Sequence, residues 1–371
     1  MPQPEKLRVI LSGGGTGGHI FPAIAIANAI RQQHPDCEIL FVGAKGRMEM
    51  EKVPAAGYRI EGLWISGFQR RLTLSNLSFP FKVLSSLFRA RKIIRSFRPD
   101  LVIGTGGYAS GPTLRAASAM GIPTLIQEQN SFPGITNKML AKRVNAICVA
   151  YEGMEKFFPK SKIRLTGNPI RQDISSNQIS RDEAVRAFGL APERPVLLAV
   201  GGSLGARTIN QSIHAGLTTL TDHSIQLIWQ TGKGYAAEAA EAVKPFAGKG
   251  IITLPFIARM DQAYAAADIV ISRSGAIAIS ELCAAGKPSI LVPSPNVTDD
   301  HQTKNTVALT SRDAAIMVRD AEAPASLIQT VIDLASDRKR QEELKENILR
   351  MSHPDAAAAI ATEALKLLKN R

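Results

Sequence analysis

The stretch Leu7-Arg8-Val9-Ile10-Leu11-Ser12-Gly13-Gly14-Gly15-Thr16-Gly17-Gly18-His19-Ile20-Phe21-Pro22 passes from a short β-rich run into a glycine loop, then into an alanine-rich helical pattern reaching Ile30. Glycines at a strand-to-helix junction let the backbone approach a ligand closely and aim the first helical N–H groups at an anion. His19 is the one ionisable group in this loop. One segment therefore offers an anion cradle and a candidate base.

Outward from this loop, strands and helices alternate, which predicts α/β architecture with parallel sheets. Strands are expected at 7–11, 38–42, 101–103, 124–127, 146–149, 196–200, 225–229, 251–254, 269–271 and 289–292. The halves echo one another. Val196–Gly205 repeats the strand-then-glycine-loop design, and Asp100–Tyr108 is matched by Asp268–Ala276. Two Rossmann-like, doubly wound domains are expected to face one cleft, each with two glycine loops at strand C-termini. The boundary is placed at Asn168-Pro169, giving domains 1–168 and 169–353, with the helix 354–371 packing back onto the first.

A chain of 371 residues suits two such domains, and 45% apolar content fits a globular protein. The polar N-terminus lacks a signal-peptide pattern, and no run of 18 apolar residues occurs. Cys37, Cys148 and Cys283 are scattered in apolar runs, reading as buried thiols in a reducing cytoplasm.

The net charge of +13 asks for an anionic partner. Nucleic acid is not favoured, because aromatic content is 5% and no nucleic-acid-binding motif appears. From Gly62 to Pro99 there is no Asp or Glu, while cations alternate with Phe and Leu. That mixture suits an acidic lipid surface, with Phe68, Arg70, Arg71, Leu74, Leu77, Phe81 and Lys82 as contacts. Val83, Leu87, Ala90 and Ile94 also fit the core face of a crossover helix, and both properties are expected together.

Gly13, Gly15 and Gly18 satisfy a dinucleotide-type spacing, yet the second strand ends Val42-Gly43-Ala44-Lys45 without the ribose-binding carboxylate. No Gly-Lys-Ser/Thr closes any glycine loop, so a Walker phosphate loop is absent as well. Further motifs are Gly106-Gly107-Tyr108-Ala109-Ser110-Gly111-Pro112, Glu128-Gln129-Asn130, Thr136-Asn137-Lys138 and Gly167-Asn168-Pro169-Ile170-Arg171. The second half adds Gly201-Gly202-Ser203-Leu204-Gly205-Ala206-Arg207, Arg273-Ser274-Gly275-Ala276, Glu281 and Asp300-His301-Gln302-Thr303-Lys304-Asn305. In this order, from residue 13 to residue 305, they resemble the MurG family of GT-B, family 28-type glycosyltransferases. Gln127 stands where some members have His, and His301 where some have Gln.

The resemblance implies inverting, metal-independent transfer of N-acetylglucosamine from UDP-N-acetylglucosamine to the C4 hydroxyl of a lipid-linked muramoyl-pentapeptide, without a cofactor. A related UDP-sugar epimerase or diacylglycerol glycosyltransferase is the alternative. Implied donor contacts are Arg171, Ser203, Ile257, Ala276, Ile277, Ala278, Glu281 and Gln302, with Thr16, Gly17, Gly18 and Asn130 reaching from the first domain. Arg171 offers a phosphate-matching fork, and Glu281 an acceptor for ribose hydroxyls. Gly14, Gly15, Gly106 and Gly107 would cradle the acceptor pyrophosphate. His19 is the candidate base, or else binds phosphate or caps the helix; Glu128 and Tyr108 are weaker candidates. The implied partners are the two substrates, an anionic membrane surface at its cytoplasmic face, and other cell-wall and division proteins.

Overall fold

The computed structural model describes residues 6–66, 79–175, 178–202 and 204–369. Phe68, Arg70, Arg71, Leu74, Leu77 and Ser203 lie outside the described residues. The chain divides into two compact units, Met1–Ile170 with Pro354–Arg371, and Arg171–His353.

Unit 1 carries a seven-stranded sheet of β1 (Arg8–Gly13), β2 (Glu38–Ala44), β3 (Arg59–Leu63), β4 (Leu101–Gly106), β5 (Thr124–Glu128), β6 (Ala146–Val149) and β7 (Ile163–Leu165). Its spatial order is β3-β2-β1-β4-β5-β6-β7, and every pairing is parallel. The apolar strand runs follow from this, since helices cover both faces. Val9 and Leu11 join a core with Ile26, Ile30 and Ile103, while Ile10 joins another with Val42, Ile94 and Leu114. The helix Ala356–Lys369 supplies Ile360, Ala361 and Ala364 to the first of these cores. Gln33 Nε2 reaches Ala358 O at 3.4 Å, and Arg164 of β7 pairs with Glu363 at 3.3 Å.

Unit 2 repeats the plan with β8 (Val196–Val200), β9 (Gln226–Gln230), β10 (Ile251–Leu254), β11 (Ile269–Ser272), β12 (Ser289–Leu291) and β13 (Ile316–Met317), ordered β10-β9-β8-β11-β12-β13 and parallel throughout. In both sheets the strand order reverses at the first strand. The loops after β1 and β4, and those after β8 and β11, therefore stand side by side at the C-terminal edge of each sheet, at its topological switch point.

The helix Phe79–Phe97 buries Ala90, Ile93 and Ile94, with Val83 and Leu87 half-buried. Its other side leaves Phe81, Leu84 and Phe88 exposed, and Trp64 is exposed as well. Lys82 donates to Ser66 Oγ at 3.1 Å, and its Nζ lies 5.8 Å from the Trp64 ring centroid. Among the described residues no helix is long and apolar enough to cross a membrane.

Candidate active site

In unit 1 the loops after β1 and β4 lock together. Gly106 has φ +103° and Gly107 φ +85°, both in the region glycine adopts without strain. A methyl group on Gly106 would lie 2.8 Å from His19 Cδ2 and 3.0 Å from its Nε2; one on Gly107 would lie 2.2 Å from Gly14 O. The bare glycines thus make room for the His19 ring and for the facing loop. Thr105 Oγ1 donates to the His19 carbonyl at 2.8 Å and ties the two loops together.

His19 is half-buried in the first turn of the helix Gly17–Gln33. Its Nδ1 lies 3.1 Å from Gly14 O and 3.2 Å from Thr16 Oγ1. A carbonyl can only accept, so the contact with Gly14 O suits a ring that carries a proton on Nδ1, and in the neutral ring Nε2 then holds the lone pair. The first intrahelical bonds run from His19 and Ile20 N–H to Thr16 O, so the Gly17 and Gly18 N–H groups precede them and sit at the positive helix end. Thr16 is the extended N-cap residue, and its side chain makes no capping bond.

The Gly15 N–H is committed elsewhere. It donates to Glu49 Oε2 at 2.9 Å, while Ala44 N–H donates to Glu49 Oε1 at the same distance. Glu49 is fully buried at the start of the helix Glu49–Ala55. A carboxylate therefore does stand at the C-terminal end of β2, aimed into the glycine loop, although the last residues of the strand, Val42-Gly43-Ala44, carry none. Sequence reasoning missed it because 34 residues separate Gly15 from Glu49 and the stretch around Glu49 has no readable periodicity.

Glu128, at the end of β5, is buried and clamps a loop. Its Oε1 accepts from Asn130 N–H at 3.0 Å and Asn130 Nδ2 at 3.3 Å; its Oε2 accepts from Gly134 N–H at 3.1 Å and Asn137 Nδ2 at 2.8 Å. Four donors occupy the lone pairs a base would need. Tyr108 is exposed just after the second glycine loop. Beneath both loops lies a buried amide relay. Gln129 Nε2 donates to Thr105 O at 2.7 Å and to Gln127 Oε1, Gln127 Nε2 donates to Asn168 Oδ1 at 2.8 Å, and Asn168 Nδ2 returns to Gln129 O at 3.0 Å.

In unit 2 the helix Ala276–Ala285 begins after extended Gly275, which has no side chain to cap it, and Ala276, Ile277 and Ala278 form its first turn at the positive end. Glu281, 12% exposed, projects from this helix toward Arg171 Nε at 3.5 Å and accepts from Tyr264 OH at 3.3 Å. Burial pushes its carboxyl up to about 7, against the pull of Arg171. The buried Tyr264 hydroxyl is likewise pushed well above its ordinary range, first by burial and then by Glu281. Arg171 is half-exposed and also lies 3.7 Å from Asp173.

Two further residues have atoms already engaged. Ile257 N–H donates to Gln230 Oε1 at 3.0 Å, so its carbonyl is the group that can serve a ligand without breaking that bond. Gln302 Oε1 accepts from Ser274 N–H at 3.2 Å and Ser294 N–H at 2.8 Å, so its Nε2 is the side chain's donor group. Arg273 is drawn away to Asp320 and the carbonyls of Val292 and Pro293.

Comparison with known proteins agrees with this plan over both units. The model of the glycosyltransferase family 28 N-terminal domain matches residues 9–149, and that of the family 28 C-terminal domain matches residues 196–360. A Cytophaga hutchinsonii protein named UDP-N-acetylglucosamine--N-acetylmuramyl-(pentapeptide) pyrophosphoryl-undecaprenol N-acetylglucosamine transferase is 55% identical over 368 residues, covering 99% of each chain. The Bacteroides fragilis protein of the same name is 55% identical over 370 residues, covering 98% of this chain and 97% of its own. Among solved structures, Acinetobacter baumannii MurG aligns at a TM-score of 0.80 and 27% identity, covering 97% of this chain and 99% of that one. A UDP-N-acetylglucosamine 2-epimerase at 14% identity, with a TM-score of 0.63 and coverage of 99% and 98%, shares the fold alone. With a parallel, Rossmann-like sheet in each half, the GT-B fold over the whole chain and a match to both domains of one family, the chain belongs to the family 28 glycosyltransferases.

Proposed function

We propose that this chain transfers N-acetylglucosamine, with inversion, from UDP-N-acetylglucosamine to the C4 hydroxyl of the muramoyl residue in undecaprenyl-pyrophosphoryl-MurNAc-pentapeptide. The observation that carries this reading is the 55% identity, over nearly the whole chain, to transferases named for that donor sugar and that lipid-linked acceptor. Named side chains and backbone groups are then assigned each chemical part.

Unit 1 takes the acceptor. The N–H groups of Gly17 and Gly18 meet a phosphate of the lipid pyrophosphate, and Gly106 and Gly107 let it approach the backbone. His19 Nε2 takes the proton of the attacking hydroxyl as the new C–O bond forms. Glu128, with four donors on its oxygens, shapes the loop that carries Asn130 rather than acting as base.

Unit 2 takes the donor. The Ile257 carbonyl accepts from the uracil N–H, Glu281 accepts from the ribose hydroxyls, and Gln302 Nε2 donates to a sugar hydroxyl. As the anomeric C–O bond breaks, its electron pair passes to the β-phosphate of departing UDP. The helix end at Ala276–Ala278 and the Arg171 guanidinium stabilise that charge. A neutral Glu281 would be a poorer acceptor, so donor binding favours its ionised form.

The lipid acceptor places the reaction at a membrane surface. We read Phe81, Leu84 and Phe88, beside a cation-rich helix, as a peripheral contact with the anionic cytoplasmic leaflet. The deciding experiment supplies radiolabelled UDP-N-acetylglucosamine with lipid-linked muramoyl-pentapeptide, and separately with diacylglycerol. Label in the muramoyl lipid supports the reading. Label in diacylglycerol, or only epimerised nucleotide sugar, from folded protein overturns it.

A further inference from the structure

We propose that Glu49 is a positioning residue for His19, acting through the single peptide unit that joins Gly14 to Gly15. The carbonyl of that unit, Gly14 O, faces His19 Nδ1 at 3.1 Å, and its N–H, on Gly15, donates to Glu49 Oε2 at 2.9 Å. One peptide plane is thus held between a carboxylate and an imidazole. In a trans peptide the C=O and N–H point to opposite sides, so the three groups form a continuous relay. The second carboxylate oxygen is anchored by Ala44 N–H at the end of β2. Glu49 is fully buried, and a methyl group on Gly14 would lie 2.1 Å from its Oε1, so carboxylate and loop fit without slack.

The chemistry follows from polarisation along a hydrogen-bonded chain. A carboxylate at the N–H end increases the negative charge on Gly14 O. That oxygen then favours a proton on Nδ1, fixing the tautomer that presents Nε2 as acceptor. When Nε2 receives the hydroxyl proton, the same oxygen faces the imidazolium. Glu49 itself gains no proton; it does through a peptide what a directly bonded carboxylate does for a catalytic histidine elsewhere. Thr16 Oγ1 lies 3.2 Å from Nδ1, and Thr105 Oγ1 fixes the His19 backbone. The inference rests on His19 being the base, but its structural half does not.

The test is nitrogen-15 NMR of histidine-labelled whole protein without substrates, His19 being assigned by comparison with His19→Gln. The proposal expects Nδ1 protonated and Nε2 bare in the unmodified protein. In Glu49→Gln the amide oxygen serves only one of the two N–H donors and its NH2 opposes the other. That variant should show a mixed tautomer and a kcat lowered at least about tenfold, with UDP affinity within about twofold of the parent. An Nε2-protonated His19 in the unmodified protein overturns the proposal, and this holds even if Glu49→Gln does not fold. Unchanged kcat in the variant, or lost kcat with an unaltered tautomer, overturns it too. Near-normal turnover in His19→Ala would instead remove the base reading and leave the tautomer result standing.

Discussion

Thr105 Oγ1 donates to the backbone carbonyl of His19 at 2.8 Å, so a strand-end residue of β4 holds the first turn of a helix that starts from β1. Thr105→Val keeps the shape and removes the donor. It should cost about 1 kcal/mol of stability and lower kcat, with UDP binding unchanged. Urea unfolding and steady-state kinetics measure the two effects; a variant equal to the parent in both would show that the tie is idle.

Gly106→Ala tests the packing of the His19 ring directly. The added methyl group meets Cδ2 at 2.8 Å, and φ +103° strains any other residue. Displacement of the ring should lower kcat by about tenfold to a hundredfold. UDP affinity, measured by calorimetry, should stay close to that of the parent, because the residues proposed to bind UDP lie in unit 2. Full turnover in this variant would argue that the ring position does not matter.

Glu281 gives a pH prediction with a definite sign. Its folded carboxyl sits near 7, above the ordinary 4.5, because burial disfavours the charged form. The folded state therefore gains from the protonated group below about pH 4.5, and that gain is lost as pH rises through about 7. Glu281→Gln should become progressively more stable relative to the parent across this window, read as the difference in melting temperature at pH 5 and pH 8. UDP affinity of the parent should rise over the same window more steeply than that of the variant. Parallel profiles for the two proteins would refute the proposed ribose contact.

Phe81 and Phe88 lie on the outer side of the helix Phe79–Phe97, both more than half exposed. Phe81→Ser with Phe88→Ser removes apolar surface without touching the buried Ala90, Ile93 and Ile94. Partitioning to anionic vesicles in a sedimentation assay should fall at least about tenfold, given the value of burying two phenyl groups, and should weaken further with salt. Unchanged partitioning would exclude this face as the lipid contact.

The interior strands were legible because they are buried on both faces: Ala146–Val149 and Val196–Val200 have the expected bounds, while the partly buried edge strand Ile251–Leu254 was legible because it is apolar and carries no charge. Strands β3, β7 and β13 were not named. All three are sheet edges, and Arg59-Ile-Glu-Gly-Leu63 and Ile163-Arg-Leu165 carry charges that hide their β pattern. The glycine loops and His19 could be read because their pattern is local in the sequence, where a strand passes through glycines into a helix. Glu49 could not, since only the β1–β2 pairing brings it to Gly15. Nor could the engaged atoms of Ile257 and Gln302, which depend on Gln230 and on Ser274 and Ser294.

The helix Ala356–Lys369 follows unit 2 in the chain yet fills the core of unit 1 beside the helix Gly17–Gln33. During synthesis, the half of the protein made first must therefore wait for all of the second half before its sheet is covered on that face. Unit 2 can fold on the ribosome as it emerges, whereas the nascent unit 1 keeps an apolar groove where Ile360 and Ala364 will sit. For that interval the groove is open to chaperones or to another nascent chain, and the order in which the halves mature reverses the order in which they are translated.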